Sequence, residues 1–257
     1  MTADAWTRAV RHQLRLGRLL PLGDRRDGAW IAERAAETVL RSAARHVRGV
    51  RLGALRIALA DPQDAYEPAV PAPPGALPPG PLRIAADFAA VATEPLPATA
   101  SRLRTTLAAA AAERLGLEVA EIDLQVTALL DHMDDLDGVD SVDRMVDTES
   151  TTTADIDHVD DIDRVDGVDE SGEVLIAAAA LAVPGVARLT STPGGLGRAV
   201  HIEEQQGEGA LPRLHARVEL AVRADRRALD VAREVRARVG EVLPGRPTVA
   251  VLITRIG

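Results

Sequence analysis

The sequence contains no cysteine, no lysine and no asparagine, and only four of its 257 residues are aromatic. Without cysteine there can be no disulfide framework, no thiolate metal site and no cysteine nucleophile. Nothing in the chain therefore requires an oxidising compartment, and we expect the protein to be cytoplasmic. All thirty basic residues are arginine, which indicates biased codon use and carries no functional prediction.

Long hydrophobic runs and catalytic motifs are missing as well. No uninterrupted run of about 18 apolar residues occurs, and no charged start followed by an apolar stretch opens the chain, so neither a membrane span nor a secretory signal is expected. The six histidines never fall in a His-x-x-x-His or His-Glu-x-x-His arrangement, and no Gly-x-Ser-x-Gly elbow exists. We expect no enzyme activity, no cofactor and no specific metal site.

One sequence pattern occurs twice. Ala43-Ala44-x-x-Val47-x-Gly49-Val50 recurs 136 positions later as Ala179-Ala180-x-x-Val183-x-Gly185-Val186. Further apolar positions correspond in order: Leu82, Ala86 and Phe88 with Leu214, Val218 and Leu220, and Ile122, Leu124 and Val126 with Val249, Val251 and Ile253. An internal repeat of this kind indicates two related units within the chain.

Both copies have the same order of periodicities, α-β-β-α-β. Apolar residues recur every three or four positions where a helix is predicted and alternate with other residues where a strand is predicted. The predicted elements are 30–46, 55–59, 82–88, 95–115 and 122–126 in the first copy, and 174–182, 199–203, 214–222, 228–242 and 248–253 in the second. We therefore predict an α+β fold of two small two-layer αββαβ domains, each a three-stranded sheet covered by helices.

Three segments lie outside this repeat pattern. Residues 1–27 form a basic N-terminal segment whose stretch from Trp6 to Leu20 is predicted to be an amphipathic helix ended by Pro21. Residues 61–81, within the first repeat (28–130), contain eight prolines and predict a mobile extended loop between two paired strands.

The third segment, 131–173, joins the first repeat to the second (174–257). It holds 17 acidic and 2 basic residues, a net charge of −15, while the chain as a whole has −9. Its apolar residues stand every third position, a period that fits neither helix nor strand. We predict a disordered acidic linker and hypothesise that it occupies the arginine-rich helix faces.

Glycines and arginines supply the candidate site residues. Gly49 and Gly185 are predicted turns after helices, and Gly194, Gly195 and Gly197 a tight helix-to-strand connection. The densest basic stretch is a possible interaction surface and consists of Arg223, Arg226, Arg227, Arg233 and Arg236. It could contact nucleic-acid phosphates, but no aromatic residue lies near it to stack on bases, and a solvated helix face is the preferred interpretation.

The second copy resembles a known family. Its Val183-Pro184-Gly185-Val186 follows an alanine-rich helix and precedes a glycine-rich turn, an alternating strand, a valine-striped helix and a closing Val-x-Val-x-Ile strand. This order resembles the alkaline shock protein family of envelope stress response proteins and covers most of 174–257. Residues 28–129 resemble a second, diverged copy in which the proline-rich insertion replaces the family's short glycine turn.

The resemblance implies a non-enzymatic protein that self-associates and docks to a membrane-anchored partner at the inner face of the membrane. Our preferred hypothesis is accordingly a structural or interaction protein that presents sheet edges and helix faces to copies of itself or to such a partner. The alternative is a nucleic-acid-binding protein that uses the arginines of the second repeat.

Overall fold

The computed structural model describes residues 17–131, 169–190, 198–205, 213–243 and 247–257. Within these ranges there are nine strands and four α-helices. The strands are β1 (Leu19–Leu22), β2 (Ala29–Ala32), β3 (Val50–Leu59), β4 (Leu82–Val91), β5 (Val119–Leu130), β6 (Val186–Leu189), β7 (Val200–Gln205), β8 (Arg213–Val222) and β9 (Thr248–Ile256). The helices are α1 (Glu33–Ala44), α2 (Leu96–Ala109), α3 (Asp169–Leu181) and α4 (Ala228–Val242).

The predicted mixed α+β class, with one sheet in each half, is confirmed. The first sheet has the order β3-β4-β5, with β3 and β4 antiparallel and β4 and β5 parallel. Its three strands contain the three segments predicted for the first repeat. α2 follows β4 and continues as a π-helical turn, Ala110–Leu115, before it packs back onto β5.

The second sheet has six strands where three are predicted. Its path is β1-β2-β9-β8-β6, and β7 also pairs with β8. The predicted strands are present as β7, β8 and β9, while β6 was not predicted because four residues are too short for a clear alternation. β1 and β2 come from the first half of the chain, so their place in this sheet depends on tertiary contacts.

The register of the two sheets shows the internal repeat in three dimensions. Leu52 pairs with Phe88 and the next pair is Leu55 with Ala86, so two residues bulge out of β3. At the corresponding place, Leu189 pairs with Leu220 and the next pair is Val200 with Val218. β6 and β7 together are therefore the equivalent of β3, and residues 190–199 stand in the sequence at the place of its bulge.

A second irregularity is also shared by the two copies. The parallel register shifts after Phe88 in the first sheet and after Leu220 in the second. At each shift a threonine is skipped, and its hydroxyl donates to the preceding strand: Thr127 to the Phe88 carbonyl and Thr254 to the Leu220 carbonyl, both at 3.3 Å. Two unrelated sheets have no reason to share these details, so the structure supports duplication.

The N-terminal segment differs from its prediction where the structure describes it. Residues 1–16, which hold most of the predicted amphipathic helix, lie outside the described residues. Leu19 to Leu22 form a buried strand instead of the end of that helix. Trp30 and Ile31, predicted as the start of a helix, lie in β2, and α1 begins only at Glu33. Burial on both faces of β1 and β2 gives an apolar run without alternation, which periodicity alone cannot assign.

The proline-rich segment 61–81 packs against the N-terminal strands. Leu77 donates its N–H to the Leu19 carbonyl at 2.8 Å, and the Trp30 indole donates to the Leu77 carbonyl at 3.3 Å. Val70 is buried within the loop. The sequence predicts a mobile extended loop, but the segment includes a short 3-10 turn, Pro62–Asp64, and packs over β1.

Of the acidic linker, only the two ends lie within the described residues. Residues 132–168 lie outside the described residues, and with them the predicted disorder and its proposed docking on the arginines. Asp131 directly follows β5, and α3 begins at Asp169, five residues before the predicted start of the second repeat.

One hydrophobic cluster extends through both halves. α1 packs against β3 of the first sheet and β9 of the second, and α4 packs against β9 and the π-helical turn. β2 pairs with β9 in parallel, with Ala29 opposite Val251 and Ile31 opposite Ile253. The sequence predicts two units connected by the linker, and the structure joins them directly as well.

A substitution at Gly116 tests the contact between the π-helical turn and α4. This glycine ends the π-helical turn with φ at 89°, and a Cβ at this position would lie 2.4 Å from Cβ of Leu229 on α4. We expect Gly116→Ala to lower the free energy of unfolding by about 2 kcal/mol, because it combines backbone strain with steric overlap. Chemical denaturation of the full chain measures this.

The matched control is Gly240→Ala. Gly240 lies within α4, and nothing approaches its Cβ position within 4 Å. This substitution should raise the free energy of unfolding by about 0.5 to 1 kcal/mol, since alanine favours the helix. Equal effects of the two substitutions would contradict a close contact at Gly116.

Candidate functional site

The predicted arginine surface is partly used inside the molecule. Arg233 on α4 makes a two-pronged ion pair with Asp27, with Nε to Oδ1 at 2.7 Å and Nη2 to Oδ2 at 2.9 Å. Burial by itself would raise the pKa of Asp27, but hydrogen bonds from Arg233 and from the backbone, with the nearby Arg236 charge, outweigh it and lower that pKa. Asp27 precedes β2, so this pair ties the two halves together.

Two more of the five arginines contact the first half. Arg236 donates through Nε to the Val249 carbonyl at 3.2 Å and through Nη1 to the Arg26 carbonyl. Arg227 donates through Nε to the Ala112 carbonyl at 3.0 Å, in the π-helical turn. These guanidinium groups satisfy backbone carbonyls at the junction of the halves, which is a structural use of the surface.

The remaining two arginines lie at the turn before α4. Arg223 forms an exposed ion pair with Asp225 at 3.1 Å. Arg226 packs its stem beside Gly185, 3.0 Å from the position a Cβ would take there. The structure therefore does not bring the five predicted arginines together as one open basic patch.

The predicted glycine turns divide into described and undescribed positions. Gly49 and Gly185 have φ of 71° and 106°, values that favour glycine, and each follows a helix as predicted. Their carbonyls accept equivalent hydrogen bonds, Gly49 from the N–H of Val91 and Gly185 from the N–H of Arg223. Gly194, Gly195 and Gly197 lie outside the described residues.

Two of the outer sheet edges are closed by other groups. The edge of β1 is bridged by the proline-rich segment at Ala76 and Leu77. On β3, Arg18 donates to the Ile57 carbonyl at 2.6 Å, and the carboxylate of Glu33 accepts from the Ile57 N–H. Arg41 donates to the Gly53 carbonyl at 2.8 Å on the same strand. Such charged caps keep an edge from pairing with another chain.

The ion pair between Arg18 and Glu33 fixes the cap on β3. Burial acts to raise the pKa of Glu33, but hydrogen bonds from the Arg18 side chain and backbone are stronger in sum and lower it. The carboxylate is thus charged at neutral pH. The third edge is formed by two short strands, β6 with four residues and β7 with six.

The fourth edge, along β5, is long, and no described strand pairs along its outer side, where Arg104 donates through Nε to the Ile122 carbonyl at 3.2 Å. β5 has twelve residues, pairs with β4 only among the described strands, and has no buried residue. It contains neither proline nor a basic residue. Val126 and Leu129 are 38% and 57% exposed, large values for apolar side chains on a strand. We take this edge as the candidate functional site, since an unpaired edge of this length can bind another strand.

The equivalent strand in the second copy, β9, has another strand paired along its outer edge. β9 is buried from Val249 to Ile253, because β2 pairs along its outer side. The same side of β5 has no such neighbour in the described part of the chain. Sequence analysis did not single out β5 as a site, since its apolar alternation predicts a strand without telling which edge stays open.

A row of polar side chains crosses β7 and β8 of the second sheet. His201 lies opposite Arg217, and Glu203 opposite His215. Nδ1 of His215 is 2.9 Å from the Thr248 hydroxyl. Burial lowers the pKa of both histidines, and the charge of Arg217 lowers both further, so the imidazoles are neutral near pH 7.

An ion pair joins this row to the next polar residue along β8. Buried Glu219 carries its carboxylate 3.5 Å from Nε of Arg217, which neutralises both charges. No three histidine, aspartate or glutamate side chains in the described ranges converge so as to hold a metal ion. Sequence analysis missed the row because it depends on the register between the two strands.

A cleft of about 320 Å³ lies between the turn before β2, the proline-rich segment and the start of β5. Arg25 and Arg26 line it together with Tyr66 and Glu118. A second, more open cleft of about 530 Å³ is lined by Arg233, Arg236 and Glu241. Both contain charges of each sign, which favours neither anions nor cations.

Comparison with known proteins finds no matching family model, no similar curated protein and no similar solved structure. No helix among the described residues is long and apolar enough to cross a bilayer.

The ion pair between Asp27 and Arg233 predicts a pH dependence of stability. Because the pKa of Asp27 is lowered in the folded state, the pair stabilises the fold above the unfolded-state pKa of about 3.9 and is lost as pH falls through the folded-state value. We expect Asp27→Asn to lower the free energy of unfolding by about 1.5 kcal/mol at pH 7. The difference from wild type should shrink below about pH 4.

Denaturation curves between pH 3 and pH 8 measure this difference. Asp225→Asn is the control, since its ion pair with Arg223 is exposed on both sides. If the loss of unfolding free energy in Asp27→Asn did not change with pH, the ion pair would not be its cause. An equal loss in Asp225→Asn would also contradict a special role of the Asp27–Arg233 pair.

Proposed function

We propose that this protein is a non-enzymatic interaction protein that binds an extended segment of another polypeptide along β5. The observation that carries the proposal is the state of its sheet edges. β1 and β3 are closed by the proline-rich segment and by Arg18 and Glu33, while β5 is long and open. Closed edges prevent unspecific association, and the remaining one directs it to a single place.

The energetics of strand addition suit this edge. Each backbone hydrogen bond formed with a partner contributes about 0.5 to 1.5 kcal/mol, and a pairing of several residues forms several of them. The exposed side chains of Val126 and Leu129 would be covered at the same time, which adds apolar burial. Backbone pairing gives affinity, and the side-chain contacts give specificity.

The nature of the partner follows from the resemblance and is a hypothesis. Self-association would add the strand from a second copy, and docking to a membrane-anchored protein would add it from that partner. The role in the envelope stress response rests on the motifs of the second copy alone. Both forms of association use the same backbone groups of β5.

Nucleic-acid binding is the weaker alternative. Arg227, Arg233 and Arg236 donate to groups inside the molecule, which leaves fewer charges for phosphates than the sequence indicates. Retention of the protein on DNA or RNA that falls steeply with salt would favour this alternative.

Substitution of Val126 tests the edge. Backbone groups alternate between the two sides of a strand, and the Ile122 carbonyl accepts from Arg104 on the outer side, so the N–H of Val126 also points outward. Val126→Pro removes this donor without breaking the pairing with β4. We expect it to weaken association with partners at least tenfold, measured by affinity capture from cells and by sedimentation of the pure protein.

Val126→Ala is the matched control, because it keeps the N–H and should retain most of the association. Val126→Lys adds an independent variant that leaves the backbone intact and places a charge at the edge. The proposal is wrong if Val126→Pro and Val126→Lys both remain folded, as shown by denaturation, and still bind the same proteins as wild type.

A further inference from the structure

The second copy shows in detail how a strand docks on this kind of edge. β2 runs parallel to β9, with Trp30 opposite Leu252, and the N–H of Val251 donates to the Gly28 carbonyl at 2.9 Å. Just before the paired residues, Arg236 connects the two segments: it donates to the Val249 carbonyl on β9 and to the Arg26 carbonyl in the turn before β2.

The first copy has the same arginine. Arg104 on α2 precedes Arg236 on α4 by 132 positions, the same interval that separates β4 from β8. It donates through Nε to the Ile122 carbonyl at 3.2 Å, the distance found between Arg236 and Val249. Ile122 and Val249 hold the same place, since they pair with Ile84 and Ala216.

The groups that receive β2 on β9 therefore have counterparts on β5. Leu124, Gln125 and Val126 correspond to the residues that face Ala29, Trp30 and Ile31. The outward N–H groups of Leu124 and Val126 correspond to those of Val251 and Ile253. β2 itself cannot serve the edge of a second copy, because its four residues are buried within their own sheet.

We propose that β5 binds a segment of a different protein that runs parallel to it and is held by Arg104 through a backbone carbonyl. The segment has about four consecutive apolar residues, as in Ala29-Trp30-Ile31-Ala32. It carries basic residues shortly before them, as Arg25 and Arg26 precede β2, and these are placed toward the acidic start of β5, where Glu118 and Glu121 lie and Glu121 also pairs with Arg83 at 3.8 Å. This inference specifies the ligand for the proposed function and rests on it.

The probe is a synthetic peptide with the sequence of residues 24–32, labelled with fluorescein at its N-terminus. Anisotropy of the labelled peptide with the full chain should show saturable binding. Arg104→Ala should weaken binding at least tenfold, because the incoming carbonyl loses its donor. Arg102→Ala is the matched control: it lies on the same helix and pairs with Glu94, so affinity should not change. A peptide with proline at the position of Trp30 should not bind, because the N–H of Trp30 faces the receiving strand.

The orientation can be measured because the chain has no cysteine of its own. A peptide with cysteine at the position of Trp30 should form a disulfide with Gln125→Cys. A peptide with cysteine at the position of Arg26 should react with Glu121→Cys in a parallel arrangement, and with Leu129→Cys in an antiparallel one. A peptide that displaced β2 from β9 would react with none of these positions.

The inference is overturned if the peptide does not bind, if Arg104→Ala behaves as Arg102→Ala does, or if the cross-link forms at Leu129→Cys. Each of these results leaves the proposed function intact as long as Val126→Pro still removes the cellular partners. If the peptide does not bind and Val126→Pro still binds the same cellular partners as wild type, both the inference and the proposed function are rejected.

Discussion

The parallel pairing of β2 with β9 is the contact on which the rest of the structure depends. Through it a segment of the first half becomes part of the second sheet, and the ion pair of Asp27 with Arg233 and the bridge from Arg236 fix its position. α1 begins directly after β2, so the same pairing places this helix between the sheets. The packing of α1 on β9 and of α4 on the π-helical turn adds to this connection between the two copies.

Much of the fold could be predicted from the sequence because each repeat has clear periodicity. α4 has the bounds that its valine stripe predicts, and the strands of both repeats lie where alternation places them. The strand pairing of β1 and β2 could not be predicted, since their burial depends on a strand more than 200 positions away. Arg233 and Arg236 are similar: their spacing predicts an exposed helix face, and only the tertiary contact with Asp27 and Arg26 shows that they are engaged.

The candidate site was harder to find than the fold. A strand shows in its sequence which face is buried, because side chains alternate, but the backbone groups along its two edges are the same for every sequence. Whether an edge is open depends on what lies next to it. Arg18 and Glu33 lie next to the edge of β3, and the proline-rich segment lies next to the edge of β1. Neither contact can be predicted from the sequence of the strand itself.

Duplication explains why one edge is filled and the other is open. Two identical copies would each have the same arginine beside the outer edge of the last strand. Arg104 beside β5 and Arg236 beside β9 still make the same hydrogen bond to a strand carbonyl. The strand that precedes α1, β2, lies beside β9 and not beside β5. It thereby covers the outer side of β9, while no described strand takes the corresponding place on β5. Arg104 donates to the Ile122 carbonyl on β5 as Arg236 donates to the Val249 carbonyl on β9, so this hydrogen bond is shared by the two copies. Among the described residues, the difference between the two edges lies in β2, which pairs with β9 alone.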